Sequence, residues 1–251
     1  MSVPVNQPAP APVDGLTARL GFWLRNDASR LLLPTRCLVC GAPGGEALDL
    51  CPACEAALPW NRIACPGCAQ PLPAPAAPRC GACRSAAVPL AAVHAAFVYA
   101  APVDGLLRRF KFHGDLAAGA LLAQLMAGSG AGWPRPQALL PVPLHAARLR
   151  RRGYDQAREL AAPLARALGL PLLDRALVRV RATGAQSERD AAERHRNLAG
   201  AFVVRPGAAL PAHVALVDDV MTTGATLHAA ADALTRAGVA RVEAWVCARA
   251  P

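Results

Sequence analysis

The chain has 251 residues, 54% of them hydrophobic and only 4% aromatic, with a formal net charge of +10. No apolar run reaches the ~18 residues that span a bilayer, and nine cysteines with no export signal argue against a disulfide framework. The basic charge is nearly all arginine, which fits a polyanionic ligand and fits equally a base-composition bias that inflates Arg, Ala, Pro and Gly.

Residues 1–15 are Pro- and Ala-rich, with neither a basic n-region nor an apolar h-region. They read as a disordered tail rather than a signal peptide, and the protein as cytoplasmic. Residues 16–34 carry Leu20, Trp23, Leu31 and Leu32 at helical spacing. This helix is expected to pack on its neighbours rather than insert into a membrane, because its charges form no basic face.

Residues 35–86 hold four Cys-x-x-Cys pairs, Cys37/Cys40, Cys51/Cys54, Cys65/Cys68 and Cys80/Cys83, separated by ten, ten and eleven residues. Each pair puts two thiolates on one tight turn, and two such turns make a tetrahedral Cys₄ zinc site. Gly41, Pro52 and Pro66 suit the sharp knuckles required. Eight ligands give two closed, structural zinc sites. The spacing leaves a sequential and a cross-braced pairing open. Thioredoxin-like redox chemistry is disfavoured, because it uses one Cys-x-x-Cys beside a strand and a helix rather than four in tandem. The ninth cysteine, Cys247, lies in an apolar run and reads as a core thiol.

Residues 90–250 read as one α/β domain. A strand is expected within Leu90–Ala100, helices over Val103–Phe112 and Leu116–Ala127, a loop over 128–136, and a short strand at Ala138–Val142. Arg148, Arg150, Arg151 and Arg152 then fall in a loop past a strand end, where open α/β sheets bind ligands and guanidiniums can hold a pyrophosphate. A helix from Tyr154 to Leu168 and a strand within 171–180 follow. Residues 181–201, without an apolar stripe, read as a mobile loop leading into a polar helix. Phe202–Val204 is expected to resume the sheet.

The densest signal is Val214-Ala-Leu-Val-Asp-Asp-Val-Met-Thr-Thr-Gly-Ala-Thr-Leu227. Its apolar start fits a parallel strand buried on both faces. The turn over 222–226 opens a helix whose free N–H groups and threonine hydroxyls suit a phosphate, with Gly224 allowing close approach. Two carboxylates one step earlier suit the hydroxyls of an attached sugar. A P-loop is excluded, because the single lysine, Lys111, follows Phe110. No Gly-x-Gly-x-x-Gly follows a strand either.

The 214–227 stretch resembles the binding loop of type I phosphoribosyltransferases for 5-phosphoribosyl 1-pyrophosphate (PRPP). With the rest of the chain it resembles the ComF/GntX family, bacterial phosphoribosyltransferase-like proteins tied to competence and DNA utilisation. The family's double zinc ribbon is followed by Phe-Lys-Phe-x-Gly-Asp, here Phe110 to Asp115, and Pro-Val-Pro, here Pro141 to Pro143. Its Arg-x-x-x-Arg-Gly-Phe-Asn-Gln element stands as Arg148, Arg152, Gly153, Tyr154, Asp155 and Gln156. Its Gln and Arg-x-x-Asn before Ala-Phe stand as Gln186, Arg194, Asn197, Ala201 and Phe202. Tyr154 replaces Phe, and Asp155 replaces Asn, which sets a negative charge beside an anion site.

The resemblance implies a type I phosphoribosyltransferase fold, Rossmann-like with a mainly parallel sheet, preceded by a small Cys-rich double zinc ribbon. It implies that Asp218 and Asp219 hold the ribose hydroxyls as catalytic residues, with Mg²⁺ bridging them to the pyrophosphate. Thr222, Thr223, Gly224, Ala225 and Thr226 would cradle the 5′-phosphate, and Arg148 and Arg152 would lie by the pyrophosphate. A flexible loop with Gln186, Arg194 and Asn197 would close over the site. The implied reaction displaces pyrophosphate from C1 of PRPP through an oxocarbenium-like transition state. Thr222 stands where purine-salvage relatives place an aspartate, which disfavours that subclass. A second reading is non-catalytic, a PRPP- or nucleotide-sensing protein handling single-stranded DNA, with competence helicase or recombination proteins as partners. The low aromatic content argues against a stacking groove for DNA. A third reading makes the zinc head the functional part. The acceptor is not legible.

Overall fold

The computed structural model describes residues 35–73, 79–85, 89–181, 198 and 200–250. The expected tail, the helix over 16–34 and the loop residues Gln186, Arg194 and Asn197 lie outside the described residues. The chain divides into two compact units, Met1–Pro52 and Ala53–Pro251.

The ribbon region repeats one local design. In the first unit Arg36 bridges Pro43, and the Cys37 N–H donates to the Ala42 carbonyl at 2.8 Å. In the second unit Ala64 bridges Pro71, and the Cys65 N–H donates to the Gln70 carbonyl at 2.9 Å. The turn needs a left-handed residue after its second cysteine. Gly41 supplies it at φ +77°, and Ala69 does so at φ +54° despite its Cβ. Ala69 is fully buried, and its carbonyl accepts from Asn61 Nδ2 at 2.8 Å. The second cysteine pair of each repeat straddles the start of a short helix, α1 (Pro52–Ala56) or α2 (Gly81–Ser85).

The second unit is built on four parallel strands in the order β1 (Ala92–Val98), β6 (Arg241–Arg249), β5 (His213–Met221) and β2 (Ala138–Pro141). Between β1 and β2 run α3 (Val103–His113) and α4 (Leu116–Gly130), and after β2 come α5 (Ala146–Arg152) and α6 (Gln156–Leu168). Helix α7 (Ala225–Arg236) links β5 to β6. Val214 and Leu216 share a core with Leu227, Ala230, Ala231 and Leu234 of α7. By alternation Ala215 and Val217 face the layer of α4 and α6, so β5 needs an apolar run on both faces. Where α3 crosses α4, Gly119 is required by space. A Cβ there would sit 2.5 Å from the Phe110 ring.

Both sheet edges are covered. Residues 59–66 run along β1. Val98 N–H donates to Pro59, Asn61 N–H to Ala96 and Val93 N–H to Pro66, all within 2.8–2.9 Å. Trp60 stacks on Phe97 with centroids 4.6 Å apart. Beyond β2, Leu139 and Leu172 form a parallel bridge.

Three expectations are corrected. Residues 146–152 are helical rather than a loop. His145 Nδ1 accepts from the Ala147 N–H, Gly153 ends the helix at φ +85°, and Arg150–Arg152 fill its last turn, where cations complement the helix dipole. Phe202–Val204 (β4) does not join the main sheet. It pairs antiparallel with β3 (Leu177–Arg179) in a separate two-stranded sheet, because the β2 edge is already occupied by Leu172. Helix α4 runs on through Gly128 to Gly130, a buried residue close to Leu168, Trp133 and Trp245, so packing overrides weak propensity.

One carboxylate is sealed at the amino end of the sheet. Glu243 on β6 has no exposed surface. Arg241 Nε and Nη2 donate to its Oε1 at 2.8 and 2.6 Å. His213 Nε2 lies 3.3 Å from the same oxygen, and His94 Nε2 lies 3.5 Å from Oε2. Burial pushes the Glu243 carboxyl up, but His94 and Arg241 more than offset it and bring it down to about 2 from 4.5. A depressed carboxyl contributes stability that is full above pH 4.5 and is lost as pH falls through 2. Glu243→Gln is therefore expected to cost about 3 kcal/mol at neutral pH. It should also flatten the loss of stability between pH 4.5 and 2, as read by thermal melts across that range.

Candidate functional site

The eight paired cysteines form two clusters. Cys37, Cys40, Cys51 and Cys54 make one, and Cys65, Cys68, Cys80 and Cys83 the other, with ligand atoms in each cluster within 4.8 Å of one another. The pairing is thus sequential, not cross-braced. Zinc bound at about 2.3 Å to four tetrahedral sulfurs sets them about 3.8 Å apart. The Cys40–Cys51 and Cys68–Cys80 sulfurs stand 3.7 and 3.6 Å apart, so both sets fit structural zinc with no position left for a substrate. Burial raises Cys37 and Cys65, but backbone N–H groups aimed at their sulfurs outweigh it and bring them down to about 6 and about 7. In the second cluster the Cys80 N–H donates to Cys65 Sγ at 3.3 Å. These are the amides that orient thiolate ligands in a zinc knuckle. Cys247 is fully buried in β6, and burial raises its thiol, as befits a core residue.

A second constellation lies at the carboxyl end of β5. Successive strand residues point to opposite faces, so the adjacent acids part company there. Asp219 is buried, and its Oδ2 lies 2.7 Å from Lys111 Nζ of α3. Asp218 is half-buried, and its Oδ1 accepts from the Asp219 N–H at 2.8 Å. Burial first, then the neighbouring Asp219 charge, pushes the Asp218 carboxyl up to about 8, against the pull of Lys111.

After Met221 the chain turns at Thr222–Gly224 into α7. Gly224 caps this helix at φ +78°, a conformation that favours glycine, and a Cβ there would also have to displace Met221 Cε, 2.5 Å away. The helical ladder begins with the His228 N–H on the Gly224 carbonyl, and the Ala225 N–H donates to Thr223 Oγ1 at 3.5 Å, which leaves the amides of Thr226 and Leu227 at the first turn. Thr222 and Thr223 are exposed beside them.

Two cavities meet at this strand end. One, of about 180 Å³, is lined by residues 221–227 with Asp218, Val220 and Leu198. The other, of about 170 Å³, is lined by Asp218, Asp219, Asp155, Lys111, Arg148, Arg152 and Arg179 among others, and shares Asp218, Val220 and Thr226 with the first. Four cations therefore face three carboxylates in the second cavity. Arg152 Nη1 donates to Gln156 Oε1 at 2.5 Å. Burial and then the neighbouring Arg152 pull Arg148 down, and burial and then Arg148 do the same to Arg179. Crowded, half-desolvated guanidiniums gain from a bound anion.

The two departures from the family pattern have structural duties. Asp155 caps α6 by accepting from the Arg158 N–H, and it accepts from the Leu144 N–H at 2.9 Å. Burial raises its carboxyl where it faces the cavity, against the pull of the Leu144 and Arg158 amides. The Tyr154 hydroxyl donates to the Phe110 carbonyl, a bond that phenylalanine cannot make.

Of the residues singled out in the sequence, the structure brings together Asp218, Asp219, Thr222–Thr226, Arg148 and Arg152. Sequence reasoning missed Lys111 and Arg179. The lone lysine of the chain was a signal for the first, since it sits between Phe110, fully buried, and Phe112, 67% exposed. Arg179, stacked over Phe202 with its Cζ 5.4 Å from the ring, lies on a short strand with no motif to flag it.

Comparison with known proteins agrees with this architecture. A double zinc ribbon domain model matches residues 28–84, and a phosphoribosyl transferase domain model matches residues 155–251. DNA utilization protein YhgH of Salmonella typhi is 34% identical over 229 residues, covering 87% of this chain and 99% of that protein. Competence protein F of Haemophilus influenzae is 38% identical over 160 residues, covering 61% of this chain and 70% of that protein. Competence protein ComFC of Streptococcus pneumoniae is 28% identical over 155 residues, covering 62% and 67%. Among the described residues no helix is long and apolar enough to cross a membrane.

Sequential clusters predict a simple metal count. Elemental analysis of the purified chain is expected to give two zinc ions. Cys54→Ser and Cys80→Ser should each give one, and the double variant none. Each single loss should lower the melting temperature, because binding energy at a closed site is folding energy.

Proposed function

The chain belongs to the ComF/GntX family of double-zinc-ribbon phosphoribosyltransferase-domain proteins, and from that premise we propose that it binds Mg-PRPP and transfers the phosphoribosyl group to an acceptor with release of pyrophosphate. The observation that carries this reading is the junction of the two cavities at Asp218 and Thr226. One cavity offers amides, hydroxyls and a helix start to a terminal phosphate. The other offers four cations to a second anion, and the acids stand between them. A ribose phosphorylated at one end and pyrophosphorylated at the other has that distribution of charge.

Within this reading the 222–226 turn binds the 5′-phosphate, and Asp218 and Asp219 orient the ribose hydroxyls. Lys111 holds Asp219 against the cavity wall. Arg148, Arg152 and Arg179 stabilise negative charge on the departing pyrophosphate, worth most in a site that excludes water. The carboxylates of Asp155, Asp218 and Asp219 fit a hard divalent cation by donor type. Magnesium, when bound, would neutralise leaving-group charge. In this reading Gln186, Arg194 and Asn197 belong to a loop that closes over the ligand.

A second reading draws on the names of the relatives, which refer to competence and DNA utilisation. In it the protein senses PRPP or a nucleotide without turnover and handles single-stranded DNA through its net charge of +10. The salt dependence of DNA binding separates the two readings.

By isothermal titration the wild type is expected to bind Mg-PRPP, and Asp219→Asn to weaken that binding by roughly tenfold or more. Arg148→Ala with Arg152→Ala should weaken PRPP by about a hundredfold, from two lost charge-assisted bonds, yet change ribose 5-phosphate binding less than about twofold. Equal losses for both ligands would place the arginines elsewhere than on the pyrophosphate. Pyrophosphate release in a screen of nucleobases, amines and DNA would identify the acceptor, and binding without release from any of them would favour the sensing reading.

A further inference from the structure

Arg249 closes β6, and its side chain ties together two parts of the second unit. Its Nε donates to the Cys68 carbonyl at 2.8 Å, and its Nη1 to the Met221 carbonyl at 3.2 Å. Cys68 is a ligand of the second zinc cluster, and Met221 is the last residue before the 222–226 turn. The Met221 carbonyl also accepts from the Ala250 N–H at 3.0 Å, and Met221 Cε fills the space below Gly224. Cys68 and Ala69 pack into the same core as Met221, Ala225 and Leu227. A continuous path therefore runs from the metal knuckle through one guanidinium to the floor of the phosphate turn.

We propose that Arg249 is a positioning residue that couples the second zinc knuckle to the 222–226 turn, so that metal at that knuckle sets the order of the turn. The planar guanidinium can donate to two carbonyls at fixed separation, which an ammonium on a flexible stem does not reproduce. Zinc fixes the Cys65–Ala69 turn and with it the Cys68 carbonyl. Loss of zinc frees that carbonyl, and the guanidinium then steadies Met221 from one side only. Coupling of this kind is reciprocal, so ordering the turn must also tighten metal binding at that knuckle. The functional consequence rests on the phosphate-binding reading, but the coupling does not.

The test uses the full zinc-loaded chain and two readouts that need no PRPP. Arg249→Gln is expected to speed hydrogen exchange across residues 221–228 roughly tenfold and to weaken the affinity for one of the two zinc ions, read by equilibrium competition with a chromogenic chelator, also roughly tenfold. Arg249→Lys should fall between it and the wild type, and it carries the same readouts if the glutamine variant does not fold. Exchange unchanged across 221–228, or raised equally through all four strands, overturns the proposal. So do wild-type affinities for both ions. If the coupling holds, Mg-PRPP affinity falls in the order wild type, lysine, glutamine. A wild type that shows the coupling but binds no PRPP leaves this inference standing and removes the proposed function.

Discussion

The arrangement depends on the alternation of β5 at its carboxyl end. A strand buried on both faces sends consecutive side chains to opposite layers. Two adjacent acids at positions 218 and 219 therefore reach different neighbours. Asp219 meets Lys111 of α3, whereas Asp218 also borders the cavity of the 222–226 turn. A one-residue slip in register would send each acid to the opposite face, away from the groups it now meets. The register with β6 and β2, held by an apolar run from Val214 to Val217, is thus as much a part of the site as the acids themselves.

How much of this was legible varied with the range of the interaction. The β5–turn–α7 stretch was readable because strand, acids, threonines and helix start are contiguous in the chain. The zinc ligands were readable for the same reason, pair by pair. Which pairs join was not, since that depends on how the turns fold back on one another. Lys111 belonged to a motif, yet nothing local says that α3 brings it 2.7 Å from an acid more than a hundred positions later. The arginines of 146–152 were found, but their helix was missed. Its end is set by a left-handed Gly153 and its start by a histidine cap, weak signals beside a run of charges. The sheet that Phe202–Val204 joins is not legible, because a three-residue strand holds no record of which edge is free.

The ribbon is a tandem repeat in chain logic as well as in geometry. A bridge, a left-handed turn and a short helix recur, with ten residues between the cysteine pairs of the first copy and eleven in the second. Only the left-handed residue differs, Gly41 in one copy and Ala69 in the other. The alanine pays a conformational penalty of about 1–2 kcal/mol, and in return its methyl group enters the core of the second unit. Strain is tolerated where packing offsets it.

The strip of residues 59–66 along β1 has one more consequence. An unprotected parallel edge is a template for another chain, and here the protector comes from a segment whose own shape is set by thiolate coordination. During synthesis that segment precedes every strand it shields. In a zinc-starved cell the nascent sheet would emerge with its outer ladder bare, prone to sticky intermolecular pairing. Metal at the ribbon thereby bears on the shielding of a strand edge as well as on the knuckle itself.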